Sequence, residues 1–238
     1  MTGKRGIDWI IDEVYEELEL QERMSFKIGQ LYRAFVKYPL TPPKVLQLEF
    51  YNPEKEEDTV FKITNYNPND NLQMNLPLKF LNLQSDDRLF ILQGKERPVI
   101  VLGYCETDWL YNYRLNTGKV EKIVLCLPVF RFKDRHSQEY IIKTQAFLFP
   151  NLFYISPSSK GIIYESAARF ELIQPIHKAD MQPLKNANNK PFKLSDETLK
   201  LLWNHLSLFL SMTPLDEPLQ QDIEAYKKLV LEILERRT

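Results

Sequence analysis

The feature that most constrains the fold is a set of three apolar, β-rich runs between residues 87 and 132. The runs cover residues 88–93, 99–104 and 122–132, and turn residues separate them. Short β-rich runs that alternate with turn signals are typical of consecutive strands in an antiparallel sheet. Further runs at 140–147, 152–155 and 161–174 extend the pattern. We therefore expect a small, closed antiparallel sheet at the centre of the protein.

The first 82 residues predict a helix followed by a β-hairpin. Apolar residues recur at helical spacing over residues 7–37, and the pattern stops before Pro39, which cannot continue a helix. Residues 45–51 and 59–64 alternate between apolar and polar side chains on either side of a charged turn, which indicates a hairpin. No motif in this part of the chain points to a particular chemistry.

Two helices are predicted at the end of the chain. Ser195 is a suitable N-cap, and Asp196 and Glu197 favour the first turn of a helix that carries an apolar stripe over residues 199–210. A last helix over residues 218–237 has a narrow apolar seam, which is typical of packing against one partner helix. That partner is either another protein or the N-terminal helix of the same chain. The residues of this seam are Leu219, Ile223, Tyr226, Val230 and Ile233, of which the first four are the predicted protein-binding residues.

Charge and composition restrict the classes of function. The 31 basic and 32 acidic residues give a net charge of -1, which argues against a surface coated for nonspecific nucleic-acid binding but permits a local basic groove. Cys105 and Cys126 are expected to be buried, reduced thiols. No apolar run approaches the ~18 residues of a membrane span, and the N-terminus lacks the pattern of a signal peptide. We therefore expect a cytoplasmic protein that does not bind membranes.

Metal and cofactor signals are absent from the sequence. The three histidines lie far apart, without cysteine or carboxylate neighbours at metal-ligand spacing. With only 7 glycines, the chain has no glycine-rich phosphate loop. We expect neither a metal nor a cofactor.

Arg97 and Pro98 lead directly into the second β-rich run, and the third run ends with Pro128 followed by residues 129–132. This arrangement resembles the core of the MazF/PemK family of toxin endoribonucleases, which are built on an SH3-like barrel. A Leu-Ser-Asp start at residues 194–196, followed by an amphipathic helix, also resembles the family. The resemblance implies an α+β protein with an SH3-like barrel and closing helix over residues 83–212. Residues 1–82 would be an N-terminal extension, and residues 213–238 a C-terminal amphipathic helix.

The resemblance also assigns the catalytic positions. Enzymes of the family cut single-stranded RNA without a metal, activating a ribose 2′-hydroxyl and stabilising the phosphorane with an arginine and a hydroxyl side chain. Arg97 takes the arginine position, where a guanidinium can bind a phosphate bidentately; alternatively, it is an arginine at a strand start that pairs with Asp86 or Asp87. The hydroxyl position falls on Phe130, and the loss of one such donor typically lowers a rate by ~10²–10³.

Two more departures from the family also argue against nuclease activity. Residues 93–96 are shorter than the family's loop over the RNA groove, and residues 172–174 lack the polar pair that faces RNA in the family. We therefore predict a protein that is not a nuclease and acts as a protein-binding regulator or adaptor. The expected setting is a toxin–antitoxin or phage-defence system, including CRISPR-associated ones, with an antitoxin-like partner and a homodimer as a further option. The residues predicted to bind a protein are Trp109, Tyr111 and Tyr113 together with the seam of the last helix.

Two alternatives remain open from the sequence. One is an active endoribonuclease that uses Arg97 with a hydroxyl from Thr144 or Ser137. The other is a protein that binds single-stranded RNA without cutting it, because residues 130–135 combine aromatic and basic side chains. Such alternation is also typical of an ordinary two-faced strand. The residues predicted to bind RNA are Arg97, Arg131, Lys133 and Arg135.

Overall fold

A computed structural model of the chain describes residues 6–19, 26–38, 42–50, 52, 54, 55, 58, 60–67, 90–106, 122–210 and 212–236. Within these residues the protein is a mixed α+β structure with three α-helices and antiparallel sheets, which confirms the predicted class. The chain divides into two compact units. One comprises Met1–Phe35, Glu96–Asp108 and Val120–Thr238, and the other comprises Val36–Lys95 and Trp109–Lys119.

The elements follow one another along the chain with short connections in the C-terminal half. In chain order they are β1 (Tyr15–Glu17), β2 (Leu31–Lys37), β3 (Lys44–Phe50), β4 (Val60–Asn65), β5 (Phe90–Ile91), β6 (Gly94–Glu106), β7 (Lys122–Arg131), α1 (Gln138–Gln145), β8 (Leu152–Ile155), β9 (Ser166–Arg169), β10 (Gln174–His177), β11 (Met181–Pro183), β12 (Phe192–Leu194), α2 (Asp196–Phe209) and α3 (Glu217–Glu235).

The main sheet has β7 at its centre. The strand order is β11-β2-β6-β7-β9-β8, and β10 also pairs with β7. All the pairs of β7 are antiparallel: Val99 of β6 lies opposite Pro128, and Ala167 of β9 lies opposite Phe130. The described strands follow an open path, so the predicted closed barrel is not confirmed. What the order does establish is that β6 and β9 flank the end of β7 that carries Phe130.

The predicted C-terminal helices are confirmed. The Ser195 side chain accepts a hydrogen bond from the backbone N–H of Thr198 at 3.2 Å, which caps α2 at its first turn. Asp216 caps α3 in the same way by accepting from the backbone N–H of Leu219 at 3.0 Å. Helix α2 then buries Leu201 and Leu202 completely in the core of the first unit. Local capping chemistry therefore sets both helix starts.

The predicted N-terminal helix over residues 7–37 is wrong. The described residues of this stretch form one 3-10 turn (Gly6–Trp9), β1 and β2. Gly29 adopts a left-handed conformation with φ of 83°, which ends any helical repeat just before β2. Along β2 the side chains then alternate between buried and exposed, as on a strand that covers a core with one face. The apolar residues at 31, 32, 35 and 36 fit a helical period, and those at 32, 34 and 36 fit the period of a strand. Pairing of β2 with β6 and β11 decides for the strand.

A second correction concerns residues 140–147, for which the sequence pattern predicts a strand and which instead lie mostly in α1. Ser137 accepts a hydrogen bond from the Tyr140 backbone N–H at 3.2 Å and so starts a helix at this point. Lys143 and Glu139 form an ion pair one turn apart on its surface.

The predicted hairpin is confirmed in the second unit. Strands β3 and β4 pair antiparallel, with Val45 opposite Thr64, and β5 adds to the other edge of β3.

The compact units do not follow the predicted boundaries at residues 82 and 212, because the N-terminal residues belong to the first unit. Ile7, Tyr15 and Leu31 share one hydrophobic core with residues of α2 and α3.

A buried histidine connects α2 to the edge of the main sheet. His205 is 2% exposed, and its Nε2 lies 3.1 Å from the carbonyl oxygen of Leu152 and 3.3 Å from that of Phe149. Since both partners are acceptors, Nε2 carries the proton, and the buried Nδ1 has no hydrogen-bond partner among the described residues. Burial lowers the pKa of His205 to about 4, because a charged imidazole would be poorly solvated here.

This histidine predicts a pH dependence of stability. Its pKa is lower in the folded chain than the ~6.5 of an exposed imidazole, so the unfolded state takes up the proton first and stability falls as the pH drops from about 6.5 towards 4. We expect a loss of about 2–3 kcal/mol in the free energy of unfolding between pH 7 and 4.5, measured by urea denaturation. His205→Gln should flatten this slope, whereas His136→Gln should leave it. An unchanged slope in His205→Gln would contradict the assignment.

Candidate nucleic-acid interface

A small pocket of about 100 Å³ opens in the first unit beside the C-terminal end of β7. Five of its lining residues are arginine or lysine, and none of the described residues that line it is acidic. The remaining residues are mainly aromatic or apolar, so the positive charges face a surface of low polarity. The lining residues are Arg97, Phe130, Arg131, Phe132, Lys133, Arg135, His136, Tyr140, Leu152, Ala167 and Arg169. A pocket of this kind attracts an anion.

Two guanidiniums share the ring of Phe130. The Cζ atom of Arg97 lies 5.0 Å from the ring centroid, and that of Arg169 lies 5.4 Å from it. Both distances are within the range of a cation–π contact. The arrangement follows from the sheet, because Arg97 is on β6 and Arg169 on β9, on either side of β7. The two positions that the family resemblance assigns to catalysis, Arg97 and Phe130, are therefore neighbours.

Glu171 forms an ion pair with Arg169 and fixes its guanidinium. Its Nε donates to Oε1 of Glu171 at 2.8 Å, and its Nη2 donates to the same oxygen. The other oxygen, Oε2, is buried without a hydrogen-bond partner in the described structure, so the carboxylate points into the protein and not into the pocket. Sequence reasoning missed Arg169. Its only signal was an arginine at the end of a short β-rich run, two residues before an acid.

The loop between β7 and α1 supplies two exposed cations. Lys133 and Arg135 are exposed, and neither forms an ion pair with another described residue. The loop itself is well fixed, because Nδ1 of His136 accepts a hydrogen bond from the Lys133 backbone N–H at 2.8 Å. Ser137 then caps α1 directly after it. Both cations are thus presented from a short, ordered turn.

Arg131 differs from the other predicted RNA-binding residues. Its guanidinium carbon lies 3.7 Å from the ring centroid of Tyr164, which does not line the pocket. Successive side chains of a strand point to opposite faces, so Arg131 points away from Phe130. All four predicted residues border the pocket, and Arg131 differs in that its guanidinium stacks on a ring that does not line it.

Aromatic rings line the side of the pocket next to α1. The rings of His136 and Tyr140 are stacked, with centroids 5.6 Å apart and an interplanar angle of 18°. Phe132 meets both rings edge-on, at 5.7 and 6.0 Å. His136 and Tyr140 are partly exposed, which leaves ring surface for a stacking ligand. Sequence reasoning identified the aromatic run at 130–132 but missed this pair, because helix α1 brings Tyr140 back to the loop.

Hydroxyl groups are poorly represented at the pocket. Neither serine nor threonine lines it, and Tyr140 is the one lining residue with a hydroxyl among the described residues. The two hydroxyls considered as substitutes have structural roles: Ser137 caps α1, and the buried Thr144 hydroxyl donates to the Tyr140 carbonyl oxygen at 2.9 Å. The arrangement is therefore suited to holding a phosphate, and among the described lining residues it offers no serine or threonine hydroxyl of the kind that the family uses.

The described residues offer no site for metal binding or for thiol chemistry. No group of three His, Cys, Asp or Glu side chains among these residues is placed to hold a metal ion. Cys126 is a buried free thiol, and burial raises its pKa to about 12, so it is unreactive at neutral pH. The side chain of Cys105 lies outside the described residues.

Only the α3 part of the predicted protein-binding set lies within the described residues. Trp109, Tyr111 and Tyr113, as well as Asp86 and Asp87, lie outside the described residues. Most of the seam of α3 packs inside the first unit: Ile223 and Val230 are buried, and Leu219 and Tyr226 pack against the core, whereas Ile233 is 44% exposed. The described residues near the start of the chain form no α-helix for the seam to pack against.

The fold and the pocket together define a class: a mixed α+β protein with a basic, aromatic-lined pocket. No family model matches the chain, and no curated protein matches it either. The similarity to the MazF/PemK family stays a prediction from the residues. None of the described helices is both long and apolar enough to cross a membrane.

Proposed function

We propose that the protein binds single-stranded RNA in the cytoplasm at the pocket around Phe130 and does not cleave it. The observation that carries this proposal is the pocket's charge: five cations and no acid among its described lining residues, in a chain whose net charge is only -1. Concentrating positive charge at one place raises the local concentration of polyanions and steers them to that place.

The size and the aromatic lining favour a single strand. A volume of about 100 Å³ is well below the roughly 300–1,000 Å³ of pockets that enclose a small-molecule ligand. The pocket therefore suits one phosphate group of a longer chain, which continues over the surface. The stacked rings of His136 and Tyr140 offer a platform to an unpaired base, and bases inside a duplex cannot reach such a platform.

The absence of cleavage follows from the chemistry at Phe130. A phenyl ring cannot donate a hydrogen bond to a developing phosphorane, and the two hydroxyls considered as substitutes, Ser137 and Thr144, have structural roles in α1. The contact between Arg97 and Phe130 supports kinship with the MazF/PemK family, because the resemblance requires these two positions to meet. The proposal thus includes descent from an SH3-like nuclease fold that keeps the arginine and has lost the hydroxyl.

Fluorescence anisotropy with a labelled oligouridine of about 12 nucleotides tests the proposal. We expect binding whose affinity falls with salt, with a slope of about -2 to -3 in log Ka against log [KCl], as expected for three or four phosphate contacts on a single strand. A duplex of equal length should bind more weakly, and the RNA should remain full-length on a denaturing gel. No binding at about 50 mM salt, or a slope near zero, would contradict the proposal.

The predicted role as a protein-binding regulator or adaptor is not favoured by a specific observation. Its candidate residues either lie outside the described chain or pack in the core of the first unit. That role, the homodimer and the toxin–antitoxin or phage-defence setting stay predictions from the sequence.

A further inference from the structure

We propose that Phe130 is a positioning residue: its ring holds Arg97 and Arg169 as a pair, and this pair makes the principal contacts to the RNA phosphates. The inference rests on the proposed function and names the residues that determine it. It also assigns a function to the Phe130 ring, whereas the family resemblance treats this position only as one that has lost a hydroxyl.

Packing of the core does not account for the position of the ring. Phe130 is only half-buried, and it is outside the hydrophobic core cluster of the first unit, whereas its neighbour Val129 is 1% exposed and inside it. The Phe130 ring instead meets the two guanidiniums, with Cζ atoms at 5.0 and 5.4 Å. An aromatic ring attracts cations through its face without neutralising their charge. The ring contact therefore positions both guanidiniums without itself cancelling their charge.

Arg169 keeps hydrogen-bond donors for a ligand. A guanidinium has five N–H donors in a planar fork. Glu171 takes one from Nε and one from Nη2, both on the same oxygen. The Nη1 group and the second N–H of Nη2 form the other edge of the fork, which can bind a phosphate bidentately. Glu171 and Phe130 together fix the plane of this edge.

Preorganisation separates this pair from the other cations. Lys133 and Arg135 are exposed on a turn, and Arg131 is stacked on Tyr164 outside the pocket. Ordering an exposed, long side chain on a ligand costs conformational entropy. A side chain that is already ordered before binding loses less entropy on binding. Arg97 and Arg169 are therefore expected to contribute more per contact than the loop cations.

Phe132 provides a matched control. It lines the same pocket and has the same side chain, but its ring packs on His136, Tyr140 and Tyr154, and no guanidinium of a described residue lies over it. Replacing either phenylalanine with leucine removes a ring and keeps an apolar side chain. Only the change at Phe130 should release the two arginines.

The experiment measures oligouridine affinity and its salt slope by anisotropy for Phe130→Leu, Phe130→Tyr and Phe132→Leu. We expect Phe130→Leu to raise Kd about 3–10-fold and to reduce the salt slope by about 1, because an unfixed arginine no longer binds its phosphate. Phe130→Tyr keeps the ring and should stay within about 2-fold of the wild type. Phe132→Leu should leave the slope unchanged, whatever it does to affinity. Thermal unfolding of each variant identifies any that do not fold, and Phe130→Ile then replaces Phe130→Leu.

A double-mutant cycle decides whether Phe130 acts through the arginines. In the Arg97→Gln/Arg169→Gln background, Phe130→Leu should have no further effect on Kd. A full additional effect in that background, or wild-type affinity and slope in Phe130→Leu, would overturn the inference while leaving RNA binding intact. If the wild-type protein itself shows no salt-dependent RNA binding, the proposed function fails, and this inference fails with it.

Discussion

Replacing Arg97 and Arg169 together with glutamine is expected to weaken the binding of single-stranded RNA about 100-fold, since a hydrogen bond to a charged group is worth about 1.5 kcal/mol or more at each arginine. Glutamine keeps part of the side-chain length but neither the charge nor the fork. The salt slope should fall by about 0.7 for each phosphate that the protein no longer binds on a single strand. Anisotropy titrations at several salt concentrations measure both quantities.

The control is a variant with the same change in net charge away from the pocket. Lys200 and Lys228 are exposed on α2 and α3, and neither lines the pocket. Lys200→Gln/Lys228→Gln should lower the affinity by less than about 3-fold, through the weaker overall field alone. If both double variants weaken binding equally, the binding depends on general charge and the pocket is not the site.

A large loss of stability is expected from Gly161→Ala. A Cβ atom at residue 161 would lie 2.4 Å from ring carbons of Tyr15, far inside van der Waals contact. The ring has little freedom to move, because Tyr15 is 2% exposed, donates its hydroxyl to the Ser156 carbonyl oxygen at 3.0 Å and packs edge-on against Phe192. Forcing a methyl group into a filled site of this kind costs about 3 kcal/mol. The free energy of unfolding from urea denaturation measures the destabilisation.

Gly103→Ala is the matched control for this change. Gly103 lies in β6, and within the described structure a Cβ built there meets no atom within 4 Å. The same substitution should therefore change stability by less than about 0.5 kcal/mol. Equal stabilities for the two variants would show that Tyr15 does not pack against residue 161 as described.

The last two helices, α2 and α3, could be predicted because their signals are local. Ser195 and the acids after it specify a helix start within a few residues, and the capping hydrogen bond in the structure is the expected one. Residues 31–37 are the opposite case. One subset of their apolar positions fits a helix and another fits a strand, and only the pairing of β2 with β6 and β11, which are distant in sequence, decides between them. Tertiary pairing of this kind leaves no local signal.

The candidate site could be predicted only in part, because some of its residues are visible in the sequence and others come together only in the tertiary structure. Arg97 and the basic, aromatic run at 130–135 are visible in the sequence, and the structure places them around one pocket. Arg169 was missed because its approach to Phe130 depends on the register between β7 and β9, with Phe130 opposite Ala167. The stacked pair of His136 and Tyr140 depends on residues 138–145 forming a helix and not the predicted strand.

Photocrosslinking tests the central claim, RNA binding at this pocket without cleavage, most directly. The protein is irradiated with an oligouridine containing 4-thiouridine and digested with trypsin, and the adducts are located by mass spectrometry while the RNA is examined on a denaturing gel. We predict adducts on His136 or Tyr140 in the tryptic peptide of residues 136–143, together with intact RNA. Adducts confined to peptides that do not border the pocket, or fragments of RNA that disappear in Arg97→Gln, would contradict the account.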